Sequence, residues 1–254
     1  MIKRTDRVST AVLEMCHAPV NALDTQFSLA LAEELGAALD DPAVKGVVLT
    51  GTGAVFCAGV DLLALLSGGA TELPGFLDAL DRLFRVLRGA AKPMVACVNG
   101  HAIAGGCVLA LGCDYRVLAG GGAKIGLPEL RVGVPFPSTA LEIVRAAVPR
   151  RHVREVVLLG ALYGPEAALA RGLADELAPE TDALPRSLEV ARCLAEIPES
   201  TYRLTKRALS DPGGGARSPE QIDTLNREVE AVWADEETHR HIRRYVERTL
   251  GKRV

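Results

Sequence analysis

The chain has no concentration of charge of one sign. Its 254 residues carry 29 Lys and Arg against 32 Asp and Glu, a net charge of −3 at pH 7. With no basic block or stripe, nothing draws it to nucleic acid or to a membrane surface. The terminal Gly251-Lys252-Arg253-Val254 is too short to count. Long hydrophobic runs are also missing, since no segment approaches the roughly 20 apolar residues of a membrane span. The first ten residues, MIKRTDRVST, lack the apolar core of a signal peptide. Six cysteines (Cys16, Cys57, Cys97, Cys107, Cys113 and Cys193) lie in or beside apolar runs without a CxxC pair. That excludes a disulfide framework or zinc site and reads as reduced core thiols in a cytoplasmic protein. No dinucleotide fingerprint is present, because Gly51-Thr52-Gly53 lacks the further glycine and helix start that one needs. No metal or redox cofactor is expected. Internal repeats and low-complexity segments are absent.

What is present is an ordinary core-forming composition, 48% hydrophobic and 24% charged. Val8 to Met15 partly alternates and reads as a strand. Asp24 to Leu39 spaces Phe27, Leu31, Leu35 and Leu39 as a helix, which Asp40-Asp41-Pro42 ends. Gly46–Thr50 and Met94–Val98 are short buried strands, and Glu72–Arg88 is an amphipathic helix. Tyr115–Leu118 and Lys124–Ile125 read as further strands around Gly120-Gly121-Gly122. From Ser138 the pattern is helical, near 138–147, 151–159, 165–171, 184–196 and 199–209, then 219–234 and 236–249. Asp211-Pro212-Gly213-Gly214-Gly215 reads as a linker. Strands and helices alternating in the first half, with helices in the second, predict an α/β core at 1–198 and a helical C-terminal region at 199–254.

Three segments could meet at one site. Phe56-Cys57-Ala58-Gly59-Val60-Asp61-Leu62 follows a strand, as does Leu127-Pro128-Glu129-Leu130, and Ala104-Gly105-Gly106 turns from a strand into a long apolar run. A helix that starts at such a turn presents unpaired N–H groups, and glycine admits close approach to them. Two N–H groups converging on a carbonyl oxygen stabilise an enolate, and a nearby carboxylate moves the proton. Taken singly, each segment also fits plain tight packing.

In this order the motifs resemble the crotonase, or enoyl-CoA hydratase/isomerase, superfamily over nearly the whole chain. The matching pieces include Pro19-Val20-Asn21-Ala22-Leu23, FCAG-x-DL at Phe56–Leu62, NG-x(4)-GG from Asn99 to Gly106, Cys113-Asp114-Tyr115-Arg116 and Gly126-Leu127-Pro128-Glu129. The resemblance implies a spiral of β-β-α units with a helical C-terminal trimerisation region, and so a homotrimer or dimer of trimers. It implies an acyl-CoA thioester as substrate, with no cofactor beyond it. It assigns oxyanion N–H groups to Val60 and Gly105, and contacts with substrate to Ala58, Gly59, Val60, Asp61, Leu62, Gly105 and Val108. Glu129 is the implied catalytic carboxylate.

Hydratases of the family carry a second glutamate where this chain has Val108. A valine cannot hold the water that hydration needs. One carboxylate suffices to take a proton from C2 of a 3-enoyl-CoA and return it to C4. Isomerases of the Δ3,Δ2 type resemble this chain at Ala104-Gly105-Gly106-Cys107, Ala110–Arg116 and Ile125-Gly126-Leu127. Isomerisation is therefore the expected reaction, with a hydratase using an atypical second group, or a non-catalytic acyl-CoA binder, as alternatives. Asp61 reads as a helix-capping residue. His17 and His101 read as core or turn residues without a matching carboxylate motif, and Asp114 and Arg116 as structural. Glu142 is a remote candidate second acid. Arg203, Lys206 and Arg207 could meet CoA phosphates, with a solvated helix face the better reading.

Overall fold

The computed structural model describes residues 1–209 and 218–250; the linker expected at Asp211–Gly215 lies outside them. In chain order the strands are β1 (Ile2–Arg7), β2 (Thr10–Met15), β3 (Gly46–Thr50), β4 (Val55–Cys57), β5 (Met94–Val98), β6 (His101–Ile103), β7 (Tyr115–Ala119), β8 (Ile125–Gly126), β9 (Leu162–Tyr163) and β10 (Glu176–Ala178). The helices of the core are α1 (Thr25–Asp40), α2 (Leu62–Gly89), α3 (Gly105–Leu111), α4 (Glu129–Val132), α5 (Ser138–Ala147), α6 (Arg150–Leu159), α7 (Pro165–Ala170) and α8 (Ala183–Ala195). Then follow α9 (Glu199–Leu209), α10 (Pro219–Ala234) and α11 (Glu236–Leu250).

Strand β5 is apolar along its whole length and β3 is apolar up to Thr50, and both are buried at every position. A strand buried on both faces belongs at the centre of a sheet. They lie there, in a six-stranded sheet ordered β1-β2-β3-β5-β7-β10, with β3, β5 and β7 parallel. A second sheet runs β4-β6-β8-β9, with β4, β6 and β8 parallel. Each of β3-β4-α2, β5-β6-α3 and β7-β8-α4 thus places its first strand in one sheet and its second in the other. This is the mixed α/β spiral that the resemblance implies, although no repeat is visible in the sequence. One face of the large sheet carries Val48, Val95 and Val117 against Ala183, Val190 and Ala191 of α8. The other buries Leu13, Leu49 and Ala96 with Phe27, Leu31 and Leu35 of α1 and Leu83 of α2.

Two expectations are corrected. Val8–Met15 is not one strand, because Val8 sits exposed in a turn with φ 59° and only Thr10–Met15 continues extended, paired with the unforeseen β1. Helix α2 starts at Leu62 instead of Glu72 and bends at Gly69, where φ is 63°. Glycine adopts that conformation without a Cβ penalty. This bend, and Pro74 a turn later, break the periodicity that marks a continuous helix. Helix α9 is tied to the core, with Lys206 donating to Asp114 at 2.8 Å and to the Lys92 carbonyl at 3.3 Å. Among the described residues no helix is long and apolar enough to cross a membrane.

Candidate active site

Strand β4 ends in a loop that pairs with Leu23 as a single parallel bridge. Leu23 donates to the Gly59 carbonyl at 2.7 Å and accepts from the Asp61 N–H at 3.0 Å. In such a bridge the flanking residues make both bonds, so the N–H of Val60 itself points to the other side. Asn21 holds the loop from behind: its Nδ2 donates to the carbonyls of Val55 and Phe56, and its Oδ1 accepts from the His17 N–H. Asp61 caps α2, accepting from the N–H groups of Leu63 and Ala64 at 3.0 and 2.9 Å, which is the structural role read from the sequence.

One repeat later, β6 runs into α3. The junction residue Ala104 has φ 50° and ψ −120°, a strained backbone for a residue with a side chain. It is held there by donating to Gly126 on β8 at 2.9 Å and by accepting from Val108 at 3.0 Å. This turn makes Gly105 the first helical residue, whose N–H has no intrahelical acceptor. The two loops touch. A Cβ built on Gly59 would lie 3.3 Å from the Gly105 nitrogen, and one on Gly105 would lie 4.0 Å from the Val60 nitrogen. Glycine at both positions is what allows this approach, and Gly59 also has φ 87°. The result is that the backbone nitrogens of Val60 and Gly105 come close together where the two loops meet.

Glu129 opens α4, three residues after Gly126. It is buried, and its Oε2 finds no hydrogen-bond partner. Burial disfavours the charged form and pushes its pKa up to about 7. Its charge is felt by the thiol of Cys107, which places the carboxylate beside the first turn of α3. Val108, the next residue, is 1% exposed. Cys107 and Val108 are thus both buried and carry no charged group. Among the described residues no cluster of His, Cys, Asp or Glu forms a metal-binding group.

The remaining candidates are brought elsewhere. Glu142 pairs with Arg88, next to Leu87, which packs on Gly112 at the far end of α3. Lys206 is not on a solvated face; its side chain is only 12% exposed, in the pair with Asp114, and Arg207 pairs with Glu228. Arg203, Lys206 and Arg207 line a cavity of about 870 Å³ with Arg85 and Glu220, away from Glu129. Arg116 pairs with Asp175 at 2.7 Å, and Asp114 accepts from the Met94 N–H at 2.8 Å. His17 does have a carboxylate partner, Asp24 at 3.0 Å, and stacks on Phe27. His101 accepts from the Lys124 N–H at 3.1 Å. One residue the sequence left without a role is Leu23. Its Cδ1 would stand 2.8 Å from a Cβ on Gly105, so it walls the paired N–H groups. The Pro19–Leu23 motif marks it, but only the fold shows what it packs against.

The fold and the matches to known proteins define an enzyme of the crotonase superfamily. A family model, Enoyl-CoA hydratase/isomerase, matches residues 7–251, and the chain belongs to that family. It is similar to the mitochondrial enoyl-CoA delta isomerase 1 of Homo sapiens, 31% identical over 77% of this chain and 66% of that protein, so the match spans just under two thirds of the relative's length. It is also similar to a putative enoyl-CoA hydratase of Thermus thermophilus, 37% identical over 77% of this chain and 78% of that one. Among solved structures, a probable enoyl-CoA hydratase of Mycobacterium tuberculosis superposes with a TM-score of 0.77 at 31% identity, covering 91% of this chain and 92% of that one.

Proposed function

We propose that the protein is a Δ3,Δ2-enoyl-CoA isomerase in which Glu129 is the sole proton carrier. What supports this reading is a buried carboxylate with an unpartnered oxygen, in a chain whose Val60 and Gly105 nitrogens approach one another and whose residue 108 is an apolar valine. The thioester oxygen of a 3-enoyl-CoA accepts from Val60 and Gly105, while Ala58, Gly59, Asp61, Leu62 and Val108 flank it. Glu129 takes a proton from C2, the electron pair of that bond moves into the C1–C2 bond, and the carbonyl pair moves onto the thioester oxygen, giving a dienolate whose C3–C4 double bond ends in a nucleophilic C4. The negative charge rests on the thioester oxygen and its two donors. Protonated Glu129 then delivers the same proton to C4, which takes the C3–C4 pair, while the C1–C2 pair shifts into C2–C3 and the carbonyl re-forms, leaving a 2-enoyl-CoA. No water enters the balance. A carboxyl poised near neutrality suits both halves of the transfer.

The human isomerase and the hydratase relatives are similar at comparable identity, so the chemistry at Val108 is what favours isomerisation. The test offers purified protein 3-enoyl-CoA and, separately, 2-enoyl-CoA. Formation of 2-enoyl-CoA from the first, with negligible 3-hydroxyacyl-CoA from the second, supports the isomerase. Rapid hydration of the second would replace it with the hydratase reading, and binding without turnover of either would leave a non-catalytic acyl-CoA binder. We also propose self-association as a homotrimer through the C-terminal region. The exposed Ile222, Trp233 and Ile242 on α10 and α11 support it. Light scattering that shows a monomer would overturn it.

A further inference from the structure

Between α1 and α2 lies a cavity of about 190 Å³ that the proton transfer does not use. Its apolar wall includes Leu23, Leu65 and Phe76, and its rim carries three carboxylates, Asp24, Asp61 and Glu72, with no Lys, Arg or His among the lining residues. Leu23 joins this space to the paired N–H groups, since its backbone bridges the Val60 segment and its side chain packs toward Gly105. The carboxylates are placed by the fold. Asp24 accepts from the Phe27 N–H at 2.7 Å at the start of α1 and sits beside His17, and Asp61 caps α2. Glu72 folds back over Gly68, where any side chain would collide with its Oε2.

We propose that this cavity receives the far end of the acyl chain and that Asp24, Asp61 and Glu72 make the enzyme selective for uncharged acyl groups, rejecting those that end in a carboxylate. The inference rests on the acyl-CoA reading of the site, but not on the isomerase chemistry. An apolar wall next to the oxyanion donors fits a hydrocarbon tail. Three carboxylates on one rim oppose both a terminal carboxylate and the phosphates of CoA, which leaves the acyl end as the occupant. The volume is that of roughly six water molecules at ~30 Å³ each, which suits a short tail.

The test is calorimetric binding of two saturated, unreactive thioesters, hexanoyl-CoA and adipoyl-CoA, to the full-length protein and to Glu72→Gln and Glu72→Lys. Hexanoyl-CoA is expected to bind at least ~10-fold more tightly, the effect of about one unfavourable charge contact. Glu72→Gln narrows the ratio, and Glu72→Lys narrows it further, by ~5-fold or more. Glu72 is exposed, so both variants are expected to fold, which circular dichroism checks. Equal affinities in the wild type, or a ratio unmoved by Glu72→Lys, would overturn the proposal. Failure of both thioesters to bind would remove the acyl-CoA reading and this inference together. A preserved ratio in a protein that does not isomerise would sink the proton shuttle and leave the selectivity standing.

Discussion

Helix α3 is seven residues long, and its two ends are built differently. At the N-terminal end the Gly105 N–H has no acceptor, Ala104 is strained at φ 50°, and Oε2 of Glu129 is buried without a partner. At the C-terminal end the charges are paired, Asp114 with Lys206 and the Met94 N–H, and Arg116 with Asp175, with only the Nε of Arg116 left without a partner there among the described residues. An unmatched buried polar group costs stability, typically about 1–3 kcal/mol, and persists when it is kept for a ligand. A matched pair gives the fold its closure. The ends are about 10 Å apart at 1.5 Å per residue, so substitutions at each can be read separately.

The largest expected effect is at the unmatched end. Glu129→Gln should lower kcat for 3-enoyl-CoA by ~10³-fold or more while acyl-CoA still binds, as steady-state kinetics and calorimetry would show. Retained turnover would break the contrast at its strongest point. Next come two adjacent glycines. Gly105→Ala places a methyl against the Cδ1 of Leu23, a side-chain end instead of backbone, and near the Val60 nitrogen, so it should fold but lose ~10²-fold in kcat/KM. Gly106→Ala would drive a methyl into the Cys57 carbonyl oxygen, which is backbone, so its loss should appear as failure to fold in thermal melts. The reverse result for the pair would misplace the oxyanion site.

Acid–base behaviour sharpens the contrast further. With Glu129 near pKa 7, kcat/KM should rise with pH through about 7 as the carboxylate forms. Stability runs the other way. The folded pKa of about 7 lies above the ordinary 4.5, so the folded state holds the proton more tightly between those values and loses stability as pH rises through them. Relative to Glu129→Gln, the wild type should lose up to about 3 kcal/mol by the top of that window, measured by denaturant titration. At the matched end, Asp114→Asn should cost about 2 kcal/mol by uncoupling Lys206 and the Met94 N–H, with kcat unchanged. A fall in kcat there would show that the two ends are coupled.

Much of the frame was legible because it rests on local signals. The short buried runs of β3 and β5, the spacing of Phe27, Leu31 and Leu35, and the capping role of Asp61 follow from pattern alone. The second sheet was mostly hidden, since β4, β6, β8 and β9 are two or three residues long, too short to show a period of two. Their pairing comes from the spiral. Glu129 by itself reads as a surface glutamate after a proline, and only the order of motifs marked it. Its burial is set by partners distant in sequence, as is the contact between Leu23 and Gly105. Lys206 misled for the same reason, because a helix face that looks solvated docks on Asp114 from 92 residues away.

The central claim is that one buried carboxylate carries one proton across the substrate, and isotope transfer tests it most directly. A 3-enoyl-CoA fully deuterated at C2 would be turned over in ordinary water and the product analysed by mass spectrometry and NMR. Shielded transfer by Glu129 predicts deuterium at C4 of the 2-enoyl product in a substantial fraction of turnovers, with no hydrated product. Complete loss of the label to solvent during normal turnover, or accumulation of 3-hydroxyacyl-CoA, would contradict it.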